Sequence, residues 1–202
     1  ALLAAQDFPH ETVICDGGST DATSRVANQP GVQWITAPRG RGAQMNAGAQ
    51  AARGNWLLFL HADTLLPAGA LEAIAALPPP IKAGCFHQAF NDRRLLLRLV
   101  SRLHNWRCKR TQIIYGDQAM FVRRQLFDAL GGFPETDLED VKFSERLRRI
   151  TVPEMLRATV VTDARKFLAH GVLRSVARIT LLLLCHRYRL PLQGRHFFDP
   201  VR

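Results

Sequence analysis

Trp56–Leu66 reads WLLFLHADTLL: five apolar residues run into His61-Ala62-Asp63, after which the apolar character returns. A short continuous apolar run of this kind suits a strand buried on both faces. A carboxylate inside such a strand would be costly, whereas one just beyond its carboxyl end opens into the crevice where open α/β sheets bind ligands. The spacing therefore predicts a strand over residues 56–60, with Asp63 standing past its end.

The same grammar recurs upstream. Glu11–Cys15 (ETVIC) predicts a strand, and DGGSTDAT follows, with Asp16 directly after the strand and Ser19, Thr20 or Asp21 placed to cap a helix. Residues 2–5 read as the end of an earlier helix. Gly31–Thr36 (GVQWIT) predicts a second strand, then come PRGRG and a small-residue helix over 43–53. Residues 71–77 predict a short helix stopped by Pro78-Pro79-Pro80. Strand and helix alternate as in βα units around a mixed, mostly parallel sheet flanked by helices.

The second half predicts an edge strand over 81–90, a basic amphipathic helix over 93–110 and a strand over 119–123. A helix over 125–130 closes on Gly131-Gly132, and further helices follow over 137–149 and 171–188, with a late strand at 160–162 between them. Repeats, low-complexity tracts and long linkers are absent from the sequence, so its 202 residues read as a single domain.

Charge separates the halves. Residues 1–90 carry five Lys/Arg against six Asp/Glu, while residues 91–202 carry 22 against 11 within a net charge of +10. An arginine excess of this size attracts phosphate-bearing partners, or it is a solvated helix face. The apolar runs are too short to cross a membrane, and the N-terminal residues lack the pattern of a secretory signal. Cys15, Cys85, Cys108 and Cys185 form no Cys-x-x-Cys pair, which argues against a zinc site or a disulfide scaffold and for a reduced, cytoplasmic compartment.

Asp16 and Asp63 hold matching positions after their strands, and between them lies RGRGAQMNAG, Arg39–Gly48. Guanidinium forks suit phosphate oxygens, and glycine lets the backbone approach them. The stretch is neither a Walker A loop nor a dinucleotide fingerprint.

Several motifs occur in a fixed order: Asp16-Gly17-Gly18-Ser19-Thr20-Asp21 after a strand; the basic-glycine element with Asn46-x-Gly48; Ala52-Arg53-Gly54 leading to Leu58-Phe59-Leu60-His61-Ala62-Asp63; Gly131-Gly132-Phe133; and Glu139-Asp140. Together they resemble a family 2 glycosyltransferase of the GT-A fold over nearly the whole chain. YGDQAMFVRRQLFDALGGFPE, Tyr115–Glu135, is most similar to a small bacterial subgroup labelled arsenosugar-biosynthesis-associated glycosyltransferase.

The resemblance implies a GT-A-like sheet, here without the family's usual first strand, since residue 1 falls within what would be the next helix. It makes residues 1–90 the nucleotide-donor half and residues 91–202 the acceptor half. It implies that Asp16 contacts the donor's base, that Arg39 and Arg41 lie near the nucleotide, and that Asn46 organises the helix behind it. Asp63 matches the last acid of the family's Asp-x-Asp, which holds Mg²⁺ or Mn²⁺ against the donor diphosphate, and His61 stands in the place of the first acid. His61 and His170 are further candidate ligands. Asp140 matches the general base of inverting members, Glu139 a supporting or acceptor-binding acid, and Asp117 a donor or acceptor contact.

Each residue also has a plainer reading. Asp16, Asp63 and Asp117 suit turns or caps, Glu139-Asp140 suits a helix N-terminus, and His170 suits a surface position. Trp34, Trp56 and Trp106 are expected to pack. The two basic helices suit either a sheet face with solvated arginines or the anionic inner face of a membrane. Two rival functions stay open: a nucleotidyltransferase of related fold, and a basic nucleic-acid-binding protein, which the aliphatic rather than aromatic composition of the basic stretches disfavours.

Overall fold

The computed structural model describes residues 6–20, 23, 25 and 29–190. The helix end expected at residues 2–5 and the capping role of Asp21 lie outside these residues. Strand β1 (Thr12–Asp16) pairs in parallel with β2 (Val32–Thr36). Helix α1 (Arg41–Ala51) packs on both, and its small residues allow the close approach: Gly48 lies against the Cys15 thiol.

The larger sheet has five strands in the order β3-β6-β5-β7-β4. These are β3 (Trp56–Leu58), β4 (Thr64–Leu65), β5 (Ala83–Phe90), β6 (Phe121–Arg123) and β7 (Glu154–Thr162). β5 and β7 run parallel, while the β3–β6, β5–β6 and β4–β7 pairs are antiparallel. The edge strand expected over 81–90 is instead the central strand, hydrogen-bonded on both sides. Its first four residues, AGCF, are all buried, the signature of a strand covered on two faces. β7 is nine residues long where only its last three were expected, because Glu154 and Arg157 interrupt its apolar pattern.

Side chains alternate across this sheet and build two cores. Leu57, Cys85 and Val122 face one cluster with Phe127, Phe133 and Phe143, while Phe86 and Phe121 face another with Leu66, Ile74 and Val160. Around them lie α2 (Ala70–Ala75), α3 (Leu95–Thr111), α4 (Arg124–Ala129) and α5 (Glu139–Leu147). α6 (Arg165–His170) and α7 (Val172–Arg187) follow β7. Trp56 packs edge-on against Phe121 as expected, whereas Trp106 does not pack and is 63% exposed on the outer side of α3. All four cysteines are free, with the buried Cys85 and Cys108 sulfurs 3.7 Å apart.

Candidate active site

β1 and β3 belong to different hydrogen-bonded sheets, and α1 joins them. Its Gln44 donates to the Cys15 carbonyl, which ties the Asp16 turn to the helix. At its other end the carbonyls of Ala49, Ala52 and Gly54 receive the Arg124 guanidinium, which fixes α1 to α4 beside β3. The two strand ends are thus set relative to each other through a helix.

Past β3 the chain turns sharply, with the Thr64 N–H donating to the His61 carbonyl. The Asp63 carbonyl accepts the Asp163 N–H, so β7 holds the turn from the other side. The Asp63 side chain is half-buried, and its Oδ1 accepts a long hydrogen bond from the Thr64 hydroxyl, at 3.4 Å. The His61 ring lies close against Gly116, where a methyl group would overlap it. Gly116 begins the 3₁₀ turn Gly116–Gln118 that carries Asp117. The Gly116 N–H donates to Asp140 Oδ2 at 2.8 Å, while Asp140 Oδ1 accepts the Val141 N–H at the start of α5. One turn, one 3₁₀ turn and one helix N-terminus therefore converge.

Arg41, at the start of α1, reaches across to the preceding residue of α5. Its Nε lies 2.7 Å from Glu139 Oε1 and its Nη2 3.3 Å from Oε2, a two-point contact with a carboxylate only 4% exposed. Burial pushes the Glu139 carboxyl above its ordinary pKa, with Arg41 opposing and Asp140 reinforcing the rise. Burial and the nearby Arg41 push the His61 pKa down, against the pull of Asp117, Asp140 and Asp63. Burial works to raise the Asp117 pKa, yet His104, His61 and Arg107 together bring it below the usual value.

His104 and Arg107 were not anticipated. His104 Nε2 sits 3.2 Å from Asp117, and Arg107 covers the Tyr115 ring at 3.6 Å while donating to the Ile113 carbonyl. Burial pushes the Tyr115 hydroxyl up to about 12. Both basic residues lie on the helix face that buries Leu97, Ser101 and Cys108, so their spacing along α3 was the available signal.

Other expected residues are held by contacts of their own. Asp16 accepts from the Gly18 and Ser19 N–H groups and the Ser19 hydroxyl, which lowers its pKa. Arg39 donates to the Gly17 carbonyl of the same loop. Asn46, on α1, clamps the Phe133 backbone, donating to its carbonyl at 2.9 Å and accepting its N–H at 2.8 Å. Gly131 and Gly132 adopt positive φ of 72° and 69°, and Gly132 leaves no room for a Cβ beside Asn46. His170 is exposed at the end of α6 and lines an open pocket with Arg94, Val172 and Arg174.

Among the described residues no three His, Cys, Asp or Glu side chains gather as a metal-holding group. Asp63 is nevertheless a half-buried carboxylate near the His61 imidazole. That set fits a hard cation taking most of its oxygens from a bound diphosphate and water.

Residues 1–78 match the family model described as Glycosyl transferase family 2. No curated protein matches the chain significantly. Among solved structures, S. aureus TarS residues 1–349 aligns with a TM-score of 0.63 at 21% identity, covering 96% of this chain and 62% of that one. The mannosyltransferase PcManGT from Pyrobaculum calidifontis, solved with GDP-Man and Mn²⁺, aligns with a TM-score of 0.62 at 20% identity over 98% of this chain and 61% of that one. Glucosyl-3-phosphoglycerate synthase from Mycobacterium tuberculosis, solved with Mn²⁺, UDP-Glc and phosphoglyceric acid, aligns with a TM-score of 0.59 at 18% identity, covering 90% and 70%. The chain thus has the GT-A fold of these glycosyltransferases and spans about three fifths of the length of the first two.

Proposed function

We propose that this chain is a family 2 glycosyltransferase domain that moves a sugar from a nucleotide-sugar donor to an acceptor hydroxyl with inversion. The observation that carries the reading is the convergence of His61, Asp117 and Asp140 on Gly116, beside Asp63 at the carboxyl end of β3. The family match over the first 78 residues supports the donor half of the reading. The subgroup resemblance of Tyr115–Glu135 belongs to the same reading and selects no sugar.

In this reading Asp63 holds the divalent cation, with His61 as the neighbouring lone-pair donor. Bound there, Mg²⁺ or Mn²⁺ would neutralise charge developing on the departing diphosphate. The Asp16 turn and Arg39 form the nucleotide side of the crevice. Arg41 joins that side to Glu139, so donor and acceptor halves are set relative to each other by one ion pair.

Asp140 takes the proton of the acceptor hydroxyl as that oxygen attacks the anomeric carbon. The bond from that carbon to the diphosphate oxygen breaks on the opposite face, and the diphosphate leaves with the electron pair. The N–H bonds from Gly116 and Val141 fix the carboxylate and leave each oxygen a further lone pair. Asp117, paired with His104, holds a sugar or acceptor hydroxyl in the same reading.

Calorimetric titration with UDP, GDP and dTDP, each with and without Mn²⁺, tests the reading. One of the three should bind, and more tightly with the metal. If none binds in either condition, the reading fails.

A further inference from the structure

α3 buries Leu97, Ser101 and Cys108, and the opposite side of the same helix is apolar as well. Leu95, Leu99, Leu103 and Trp106 are 77%, 49%, 56% and 63% exposed. Their spacing of four, four and three residues gathers them into one stripe turned directly away from the core.

α7 repeats this arrangement. It buries Ser175 and Leu182 and exposes Leu173, Leu181, Leu184 and Tyr188 at 71%, 60%, 47% and 70%. With Ala177 these follow the same helical spacing, again opposite the buried side.

The two helices lie side by side. Near their N-terminal ends Arg94 and Leu96 line a pocket with Val172 and Leu173, and toward the C-terminal end of α7 Leu183 packs against the cluster of Ile113, Leu138 and Val141, the first just beyond α3. The exposed apolar residues therefore form a broad surface rather than scattered single leucines.

The charge on these helices is of one sign. Neither Leu95–Thr111 nor Val172–Arg187 contains an acidic residue, and Arg98, Arg102, Lys109, Arg174 and Arg187 are exposed beside the stripes. A second copy docking through this surface would bring like charges together, and a nucleic acid would leave the leucines unpaired. An anionic lipid surface satisfies both halves, with leucines in the acyl boundary and arginines among the phosphates. No described helix is long and apolar enough to cross a membrane, so the geometry is that of helices lying in the interface.

We infer that the paired outer faces of α3 and α7 dock the protein onto an anionic bilayer. The docking is independent of the glycosyl-transfer reading, because neither stripe includes a residue of the candidate site.

The test is flotation of the full chain with phosphatidylcholine vesicles, with and without phosphatidylglycerol. Binding should require the anionic lipid and weaken as salt rises. Trp106 emission should shift to the blue on binding, and Trp106→Phe should remove that shift without preventing flotation. The exposed-face pair Leu103→Glu and Leu181→Glu should lower partitioning by roughly tenfold or more. The proposal is overturned if flotation is absent, if it is indifferent to these leucines, or if sedimentation shows a dimer that the same substitutions dissolve.

Discussion

Arg41 and Glu139 meet by two contacts, 2.7 and 3.3 Å, between the first residue of α1 and the first residue of α5. The pair fastens the β1–β2 layer to the second half of the chain. Arg41→Ala strands a buried carboxylate and should cost about 2 kcal/mol, less than the roughly 3–5 kcal/mol of a fully buried pair because Arg41 is 40% exposed. Urea unfolding measures this.

Glu139 also sets a pH dependence. Its folded pKa lies above the ordinary 4.5, so its contribution to stability is complete below that value and is lost as pH rises through the raised pKa. The stability of wild type relative to Glu139→Gln should therefore fall across this window. A relative stability that grows with pH would show that Arg41 outweighs burial.

The Asn46 clamp should be among the costlier polar contacts. Asn46→Ala leaves the Phe133 N–H and carbonyl without their partner, and about 2–3 kcal/mol should be lost. Gly132→Ala should approach that loss, through its positive φ and its contact with Asn46. The double variant should cost less than the sum of the two, which a double-mutant cycle reads directly.

Gly116→Ala should force the His61 ring from its place, destabilising the fold by about 1–3 kcal/mol. His61→Ala in the same chain removes the obstacle. Most of the loss should then be recovered, and a variant that stays equally unstable would mean the 3₁₀ turn itself resists a side chain.

Asp140→Asn should reduce turnover by about a hundredfold or more while nucleotide affinity stays within a few fold. Parallel loss of affinity would assign Asp140 to donor binding instead. Asp63→Ala should abolish the metal dependence of nucleotide binding and leave the thermal transition close to wild type, because the Thr64 hydrogen bond to its side chain is long, at 3.4 Å.

The elements were legible where periodicity and punctuation agree. The β1 and β2 strands, the small-residue helix, the Gly-Gly stop and both basic helices stand within two residues of their expected bounds. Strand placement was not legible, because an apolar run such as AGCFHQAF states that it is buried and not which neighbours bury it. Among the candidate acids, Asp16 and Asp63 stood out by their places after strands and Glu139-Asp140 by a helix start. His104 and Arg107 were hidden because a helix face reveals polar residues turned inward only when its buried side is known. Asn46 and Arg41 could be singled out, but their partners lie 87 and 98 residues away.

The turn bearing Asp63 also constrains the order in which the protein can be completed. Thr64 pairs with Thr162, 98 residues later, and the Asp63 carbonyl waits for the Asp163 N–H. Closing so long a loop is slow, and its entropic cost must be met before the contact rewards it. A nascent chain that has already formed its β1–β2 layer therefore still lacks a finished Asp63 turn, which should be completed only once β7 has been made rather than in step with the length synthesised.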